Sequence, residues 1–383
     1  MSTFAIHAEH LVLPEGVVCP GYLVVEDGRF ADVCSERPSC DVIEYGDAWV
    51  SPGLVDTHIH GFADHDVMDC DPAGIDAMCE ALARQGTTSI LATTLTASLE
   101  QTQAACKAVA AAADGRPDDF RGTRIQGIFL EGPFFTEKYK GAQNPKYLCD
   151  PSLDALDLWQ GAAGGRIRKS ALAPERDGSV GYVRGCGERG VVAAIGHTNA
   201  SYEQARAAVE AGASVFVHTY NAMSPLTHRA PGTVGCAMTS DDAASELICD
   251  GLHVSSVACD ALVRAKGWEH VFLISDCLRC GGMPEGDYML GELPIRLSGG
   301  VARLRDEGNI AGSVLIMAGA IKNVVDWGIV DAEQAIRMAT EIPARANGID
   351  ATCGSIRPGR LADLVILGSD LSLEATYLGG VLL

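Results

Sequence analysis

Short apolar segments alternate with alanine-rich amphipathic segments through the middle of the chain, and this alternation constrains the fold more than any other feature. A strand-length apolar run followed by a helix-length amphipathic run is typical of repeated strand–helix units that build a parallel sheet. Eight such units in about 250 residues match the size of a (β/α)8 barrel, although periodicity alone leaves a doubly wound open sheet as the alternative. The strand candidates are Val55–His60, Thr87–Thr93, Ile125–Glu131, Ser170–Ala173, Val191–His197, Ser214–His218, Glu246–Asp250 and Val271–Ser275.

Helix candidates lie between most of these strands. Ser98, Ser201 and Asp331 are expected to cap three of them, because their side chains can accept hydrogen bonds from amides of the first helical turn. The candidates are Pro72–Gln85, Leu99–Ala113, Tyr202–Ala211, Val254–Lys266, Val314–Trp327 and Ala332–Ala339.

Both ends of the chain have a different pattern, in which short extended segments are separated by turns. We therefore predict an α/β protein with a (β/α)8 barrel over residues 51–354. Residues 1–50 and 355–383 are expected to form one small β-sandwich domain. Its strand candidates are Phe4–Ala8, Tyr22–Glu26, Arg29–Cys34, Leu361–Leu367 and Ala375–Leu383.

Composition and charge limit the partners of the chain. Its 383 residues include 29 Lys and Arg against 50 Asp and Glu, and the net charge of −21 disfavours nucleic acid and anionic membrane surfaces. No apolar run is long enough to span a membrane, and the first residues show no secretion signal. Because the 14 cysteines are scattered, we expect reduced thiols and a cytoplasmic location.

Ionisable side chains stand at or just after six of the eight predicted strands. Catalytic groups of barrels gather at the carboxyl ends of the strands, so we expect these side chains to meet at one rim. They are His58 with His60, Glu131, His197, His218, Asp250 with His253, and Asp276.

Three of these residues suggest metal chemistry. His58 and His60 are two residues apart and point to one face of a strand. Glu131 ends an apolar strand, where a carboxylate needs a strong partner. Imidazoles beside a carboxylate are typical of a divalent-metal site. A solvated or hydrogen-bonded histidine pair, and an arginine partner for Glu131, are the alternatives. For His197 and His218 the alternative is a core histidine bonded to a backbone carbonyl.

Two further residues suggest proton transfer and polarisation of a carbonyl group. Asp276 is a candidate to accept a proton from water and return it to a leaving group. His253 is a candidate to polarise a substrate carbonyl. A helix N-cap for Asp276, and a hydrogen-bond donor to another site residue for His253, are the alternatives.

Several motifs carry a resemblance to a known family. The broader likeness lies in Pro52–His60, His197, His218, Asp276 and Gly354–Leu364. The narrower likeness lies in Leu130–Phe134, Lys140–Pro145, Gly196–Ala200, His218–Met223, Asp250–His253 and Ala311–Ser313. In these residues the chain resembles the amidohydrolase superfamily and, within it, the members that remove acetyl groups from phosphorylated amino sugars.

The resemblance implies a metal-dependent hydrolase. Glu131, His197 and His218 would bind a divalent ion, with zinc preferred to iron or other divalent metals. His58 and His60 leave a second ion open, so that one or two are expected per subunit. The implied reaction is hydrolysis of the acetamide of N-acetyl-D-glucosamine 6-phosphate to D-glucosamine 6-phosphate and acetate. Asp276 would transfer the proton and His253 would help to stabilise the oxyanion.

The resemblance also implies where the phosphosugar binds. Arg229 matches a position that contacts the phosphate, and in this family that arginine can come from a partner subunit, so a homodimer is expected. A surface ion pair is the alternative for Arg229. The substrate-binding residues implied are Ala142, Asn221, Ala222, Arg229, Asp250, Gly251, Leu252, His253, Ala311, Gly312 and Ser313.

One departure from other superfamily members concerns the fourth strand. Many members with two metals bridge them with a carboxylated lysine at its end, but this chain has Leu172–Glu175 there, and we expect Lys169 to precede the strand. Four alternatives stay open: a deacetylase for galactosamine derivatives, a deaminase, an inactive barrel used in assembly, and a phosphosugar-binding regulator.

Overall fold

The central element of the computed structural model, which describes residues 3–383, is a closed barrel of eight parallel strands. The backbone N–H of Asp276 donates to the carbonyl of His58, and that of His60 donates to the carbonyl of Cys277, both at 2.9 Å, and these bonds join the first strand to the eighth. The predicted (β/α)8 architecture is therefore confirmed, with all eight strand candidates in place. Barrel strands one to eight are Leu54–Ile59, Thr87–Thr93, Arg124–Leu130, Ile167–Leu172, Val192–Ile195, Val215–Phe216, Ala244–Leu247 and Val271–Leu273.

Both faces of the barrel strands are covered. Every residue of Leu54–Ile59 and of Thr87–Thr93 is buried, between the barrel interior and the surrounding helices. The helices are α1 Pro72–Ala83, α2 Leu99–Gly115, α3 Leu153–Ala162, α4 Ser179–Glu188, α5 Tyr202–Glu210, α6 Gly232–Thr239, α7 Ser256–Lys266, α8 Met317–Asp326, α9 Ala332–Met338 and α10 Glu341–Ala346.

The predicted N-caps are confirmed. Ser98 accepts from the backbone N–H of Gln101, and Ser201 and Asp331 each form a reciprocal capping box with a glutamine three residues later. Helices α3, α4, α6 and α10 were not predicted.

Strands from both ends of the chain pair beside the barrel. Trp49–Pro52 is antiparallel to Leu364–Leu367, with Val50 opposite Ile366, so the two ends share one sheet. That six-stranded sheet also contains His10–Leu13, Gly16–Val18, Leu373–Leu378 and Val381–Leu382. A four-stranded sheet of Thr3–Ala8, Gly21–Glu26, Arg29–Cys34 and Asp41–Glu44 lies beside it, and the two share an apolar core. The domain limits at residues 50/51 and 354/355 stay a prediction.

A small antiparallel sheet interrupts the barrel after strand eight. Its strands are Gly286–Leu290, Leu293–Ser298 and Val301–Leu304, and Leu290 reaches the cavity described below. Across residues 3–383, none of the helices has the length and apolarity needed to cross a bilayer.

Candidate metal-binding active site

Four imidazoles surround the carboxylate of Glu131 at the carboxyl-end rim of the barrel. Oε1 of Glu131 lies 3.2 Å from Nε2 of His197 and 3.2 Å from Nε2 of His218. Its two oxygens also lie 3.4 Å from Nε2 of His58 and 3.3 Å from Nε2 of His60. The ligand atoms form two groups, Glu131–His197–His218 and His58–His60–Glu131, each contained within 4.8 Å. The chain thus has two triads that share one carboxylate.

Three side chains at this rim belong to residues whose backbone adopts the left-handed conformation just after a barrel strand. His197, His218 and Asp276 have φ values of 46°, 30° and 51°. Residues with a Cβ rarely adopt this region, and such strain is concentrated at functional sites. It is held here by backbone bonds, such as the 2.8 Å bond from Thr219 N–H to the carbonyl of Glu246.

Hydrogen bonds on the far side of two rings favour metal ligation by Nε2. Nδ1 of His197 lies 2.9 Å from the carbonyl oxygen of Tyr139, and Nδ1 of His58 lies 2.9 Å from Oε2 of Glu246. Because both partners only accept, each Nδ1 carries the proton, and each Nε2 faces Glu131. Nε2 of His58 is buried without a hydrogen-bond partner. A divalent cation would satisfy this donor set.

The charges at the site also suit a cation. Burial lowers the pKa of His58, but Asp276, Glu246 and Glu131 outweigh it and raise the pKa to about 9. Burial likewise opposes ionisation of Glu131, yet His58 and the other imidazoles hold the pKa of its carboxyl well below the usual value. The carboxylates therefore favour positive charge on the imidazoles. A bound metal ion would provide that positive charge and displace the protons from the imidazole nitrogens.

Asp276 lies beside the two histidines of the first strand. Its Oδ1 is 3.4 Å from Nε2 of His58 and 3.2 Å from Nε2 of His60. Burial raises the pKa of Asp276, but the two imidazoles lower it by a larger amount, so the net shift of the pKa is downward. The carboxylate is consequently ionised at neutral pH and able to accept a proton.

His253 forms a tight pair with Asp250 at the same rim. Nδ1 of His253 lies 2.6 Å from Oδ2 of Asp250, whose Oδ1 accepts from the backbone N–H groups of Leu252 and His253 at 2.8 Å. Burial lowers the pKa of His253, but Asp250 raises it above the ordinary value overall. This shift favours the imidazolium form, in which Nδ1 donates to Asp250 and Nε2 can donate a second hydrogen bond.

One cavity collects ten of the predicted site residues. It is lined by His60, Glu131, Ala142, His197, His218, Asn221, Ala222, His253, Asp276 and Gly312, together with Leu95, Gly141, Gln143, Leu278, Leu290 and Ile310. Gly312 has a φ of 44°, and a Cβ there would meet Leu278 at 2.6 Å, so only glycine fits. The predicted residues outside this lining are His58, Arg229, Asp250, Gly251, Leu252, Ala311 and Ser313.

Arg229 is the predicted site residue that stands apart. It is exposed in the segment before α6, and within residues 3–383 its guanidinium has neither an ion pair nor a hydrogen bond. The exposed side chain of Leu226 lies in the same segment, with 51% of its surface accessible. Among the described residues, Arg229 thus does not form the surface ion pair that was the alternative interpretation.

Three residues of the site, Gln143, Lys169 and Glu246, escaped sequence reasoning. Gln143 donates from Nε2 to Oε2 of Glu131 at 2.7 Å, and its Oε1 accepts from Thr96 N–H at 2.9 Å. Lys169 lies inside strand four rather than before it, which corrects the expectation, and it is buried against Glu246. The motif containing Gln143 was visible in the sequence, but its contact with Glu131 was not.

A (β/α)8 barrel whose rim gathers histidines around a buried carboxylate, next to an ionised aspartate, defines a metal-dependent hydrolase. The Amidohydrolase family model matches residues 49–383, and the chain belongs to the amidohydrolase family. This family is metal-dependent.

Curated relatives narrow the comparison. The chain is 38% identical to N-acetylglucosamine-6-phosphate deacetylase of Vibrio furnissii over 340 residues, covering 89% of this chain and 84% of the relative. It is 37% identical to N-acetylgalactosamine-6-phosphate deacetylase of Escherichia coli O157:H7 over 381 residues, covering 99% of both.

A solved structure gives a close match in fold. A variant of N-acetyl-D-glucosamine-6-phosphate deacetylase from Mycobacterium smegmatis, in complex with N-acetyl-D-glucosamine 6-phosphate, superposes with a TM-score of 0.93. Its sequence is 31% identical, and the match covers 100% of this chain and 99% of that one.

Proposed function

We propose that the chain hydrolyses the acetamide of N-acetyl-D-glucosamine 6-phosphate to D-glucosamine 6-phosphate and acetate. The observation that carries this proposal is the joining of two histidine–carboxylate triads with Asp276 at one barrel rim, where all of these residues except His58 line one cavity. The chain is also similar along most of its length to a deacetylase of this substrate. Keeping the five candidate ligands and the aspartate together argues against an inactive barrel used in assembly.

The metal would be held by Glu131, His197 and His218, with His58 and His60 available for a second ion. Zinc suits this set of imidazole and carboxylate ligands. When bound, a divalent cation supplies a Lewis acid for the carbonyl oxygen and lowers the pKa of water.

The residues of the chain then carry the proton through the reaction. Asp276 accepts a proton as water adds to the acetyl carbon, and the carbon–oxygen bond forms. His253 donates a hydrogen bond to the oxygen that gains negative charge. Asp276 next gives its proton to the amide nitrogen, the carbon–nitrogen bond breaks, and acetic acid and the amine leave. The second proton of the water stays with the acid and passes to the amine, so the products in water are acetate and an ammonium group.

Acetate release by purified protein tests the proposal. We expect one acetate and one primary amine for each N-acetylglucosamine 6-phosphate consumed, and no ammonia. Ammonia release would indicate a deaminase instead. The second candidate substrate is N-acetylgalactosamine 6-phosphate, because a relative with that activity matches 99% of the chain. A higher kcat/KM for N-acetylgalactosamine 6-phosphate than for N-acetylglucosamine 6-phosphate would make the galactosamine compound the preferred substrate.

Arg229 is proposed to bind the substrate phosphate of the neighbouring subunit in a homodimer. Its charge has no partner among the described residues, and it lies outside the lining of its own cavity. We expect Arg229→Ala to lower kcat/KM for the phosphorylated sugar by about 10- to 10²-fold, since charge-assisted bonds contribute about 1.5–3 kcal/mol. The unphosphorylated sugar should lose little, and equal losses on both would contradict the assignment.

Mixed dimers separate the two possible positions of the arginine. An Arg229→Ala subunit paired with an Asp276→Asn subunit has one intact site only if Arg229 reaches across the interface. Random mixing of equal amounts should then restore about a quarter of wild-type activity, because half of the dimers are hybrids with one of two sites intact. No restoration would place Arg229 in its own subunit's site.

A further inference from the structure

A fully buried ion pair lies inside the barrel next to the candidate metal centre. Lys169 on strand four and Glu246 on strand seven are both 0% exposed, and Nζ of Lys169 lies 2.5 Å from Oε1 of Glu246. Nζ also donates to the carbonyl oxygen of Thr57 at 2.9 Å. Burying two charges costs desolvation energy that their attraction often fails to recover, so stability alone is a weak explanation for this pair.

The second carboxylate oxygen of Glu246 contacts both triads. Oε2 accepts from Nδ1 of His58 at 2.9 Å and from the backbone N–H of His218 at 3.1 Å. His58 belongs to one triad and His218 to the other. Lys169 holds the opposite oxygen, and through Thr57 it also holds the residue before His58. The pair therefore ties four barrel strands together at the metal ligands.

Of the two imidazoles in the first-strand triad, only that of His58 has a hydrogen-bond partner at Nδ1 among the described residues, and this partner is Glu246. Nδ1 of His60 is buried and has no hydrogen-bond partner in residues 3–383. The ring of His58 is instead fixed by the acceptor at Glu246, which directs its Nε2 to Glu131 and Asp276. Outer carboxylates of this kind set the tautomer and orientation of a ligating imidazole.

We propose that Glu246, oriented by Lys169, is a positioning residue for the divalent-metal centre. It fixes the tautomer and ring plane of His58 and anchors the backbone of His218. This inference deepens the function proposed above and rests on its metal dependence. It predicts that metal affinity depends on a hydrogen-bond acceptor at position 246, and not on the ion pair as such.

Two double variants separate the acceptor from the charge. Lys169→Met with Glu246→Gln removes both charges and keeps a carbonyl oxygen for His58, whereas Lys169→Met with Glu246→Met removes the acceptor as well. Neither leaves a lone buried ion, which is the strongest destabilising outcome for such a pair. Zn²⁺ is titrated into each metal-free protein by calorimetry, and the bound metal is then counted.

We expect the glutamine double variant to bind zinc within about threefold of wild type, and the methionine double variant to bind one equivalent about 10–100-fold more weakly. If wild type binds only one zinc ion, the affinities for that ion are compared among the three proteins. The comparison remains valid because Oε2 of Glu246 also accepts from the backbone of His218, a ligand of the other triad. Equal affinities in all three proteins, or equal weakening of both variants, would overturn the positioning role. Failure of wild type to bind zinc would instead count against the metal-dependent function.

A measurement on unmodified protein covers the case in which a variant does not fold. With ¹⁵N-labelled histidine in the zinc-loaded wild type, we expect a protonated Nδ1 resonance from His58, identified by its loss in His58→Gln. Protonation of His58 on Nε2 alone, with Nδ1 unprotonated, would contradict the proposal, because Nδ1 would then have no proton to donate to Oε2 of Glu246.

Discussion

Replacement of Asp276 by asparagine is expected to lower kcat by about 10²–10⁴-fold while the protein keeps its metal. Asparagine has the size of aspartate but accepts no proton in this pH range, so both proton transfers lose their carrier. Oδ1 of Asp276 stands 3.2 Å from Nε2 of His60 and 3.4 Å from Nε2 of His58, close to the ligands yet outside both triads. Steady-state acetate release and metal content per chain are the measurements.

The matched control for this variant is Asp306→Asn, which changes an exposed aspartate outside the cavity lining. It should keep wild-type kcat, which excludes a general effect of lost negative charge. If Asp276→Asn binds less metal, its activity is compared again with excess zinc. Wild-type turnover in the metal-loaded variant would remove Asp276 from the mechanism.

The barrel could be predicted from the sequence because its strands are buried on both faces. A run such as Val271–Leu273 then has no polar alternation and stands out against the amphipathic helices. Strand six shows the limit of this signal, since only Val215–Phe216 pairs as a strand. The helices that escaped prediction have local reasons. Helix α4 contains three glycines, and α10 contains Pro343, so neither resembles a good helix former.

The rim of the candidate site could be predicted because it depends on chain order alone. Parallel strands end at one edge, so His197 and His218, each two residues beyond its strand, must lie near Glu131. Polar contacts inside the barrel depend instead on side-chain direction and distance. Lys169 follows Arg168 and was expected to precede strand four, while the structure buries it within that strand against Glu246, 77 residues away. Local periodicity carries no signal for such a pair.

Replacement of Glu131 by glutamine is expected to empty both triads and to lower kcat/KM by at least about 10³-fold, since the Lewis acid contributes several kcal/mol. Oε2 of Glu131 accepts from Gln143 at 2.7 Å, so the oxygen of the introduced amide will take that position. Its NH2 group then replaces Oε1, which lies 3.2 Å from Nε2 of His197 and of His218. A donor facing the ligand nitrogens competes with a cation for their lone pairs, and the carboxylate charge is lost as well.

The outcome is read as metal content and as zinc affinity, with Glu137→Gln as the control. Glu137 is an exposed glutamate of the same loop and lies outside both triads. Its replacement should leave zinc binding at the two triads and turnover unchanged. Because Glu131 is the residue that the triads share, its loss must affect both, whereas His60→Gln should affect the first-strand triad alone. Full zinc occupancy in Glu131→Gln, with activity retained, would mean that the histidines bind the metal without the carboxylate, and the shared-carboxylate centre would be wrong.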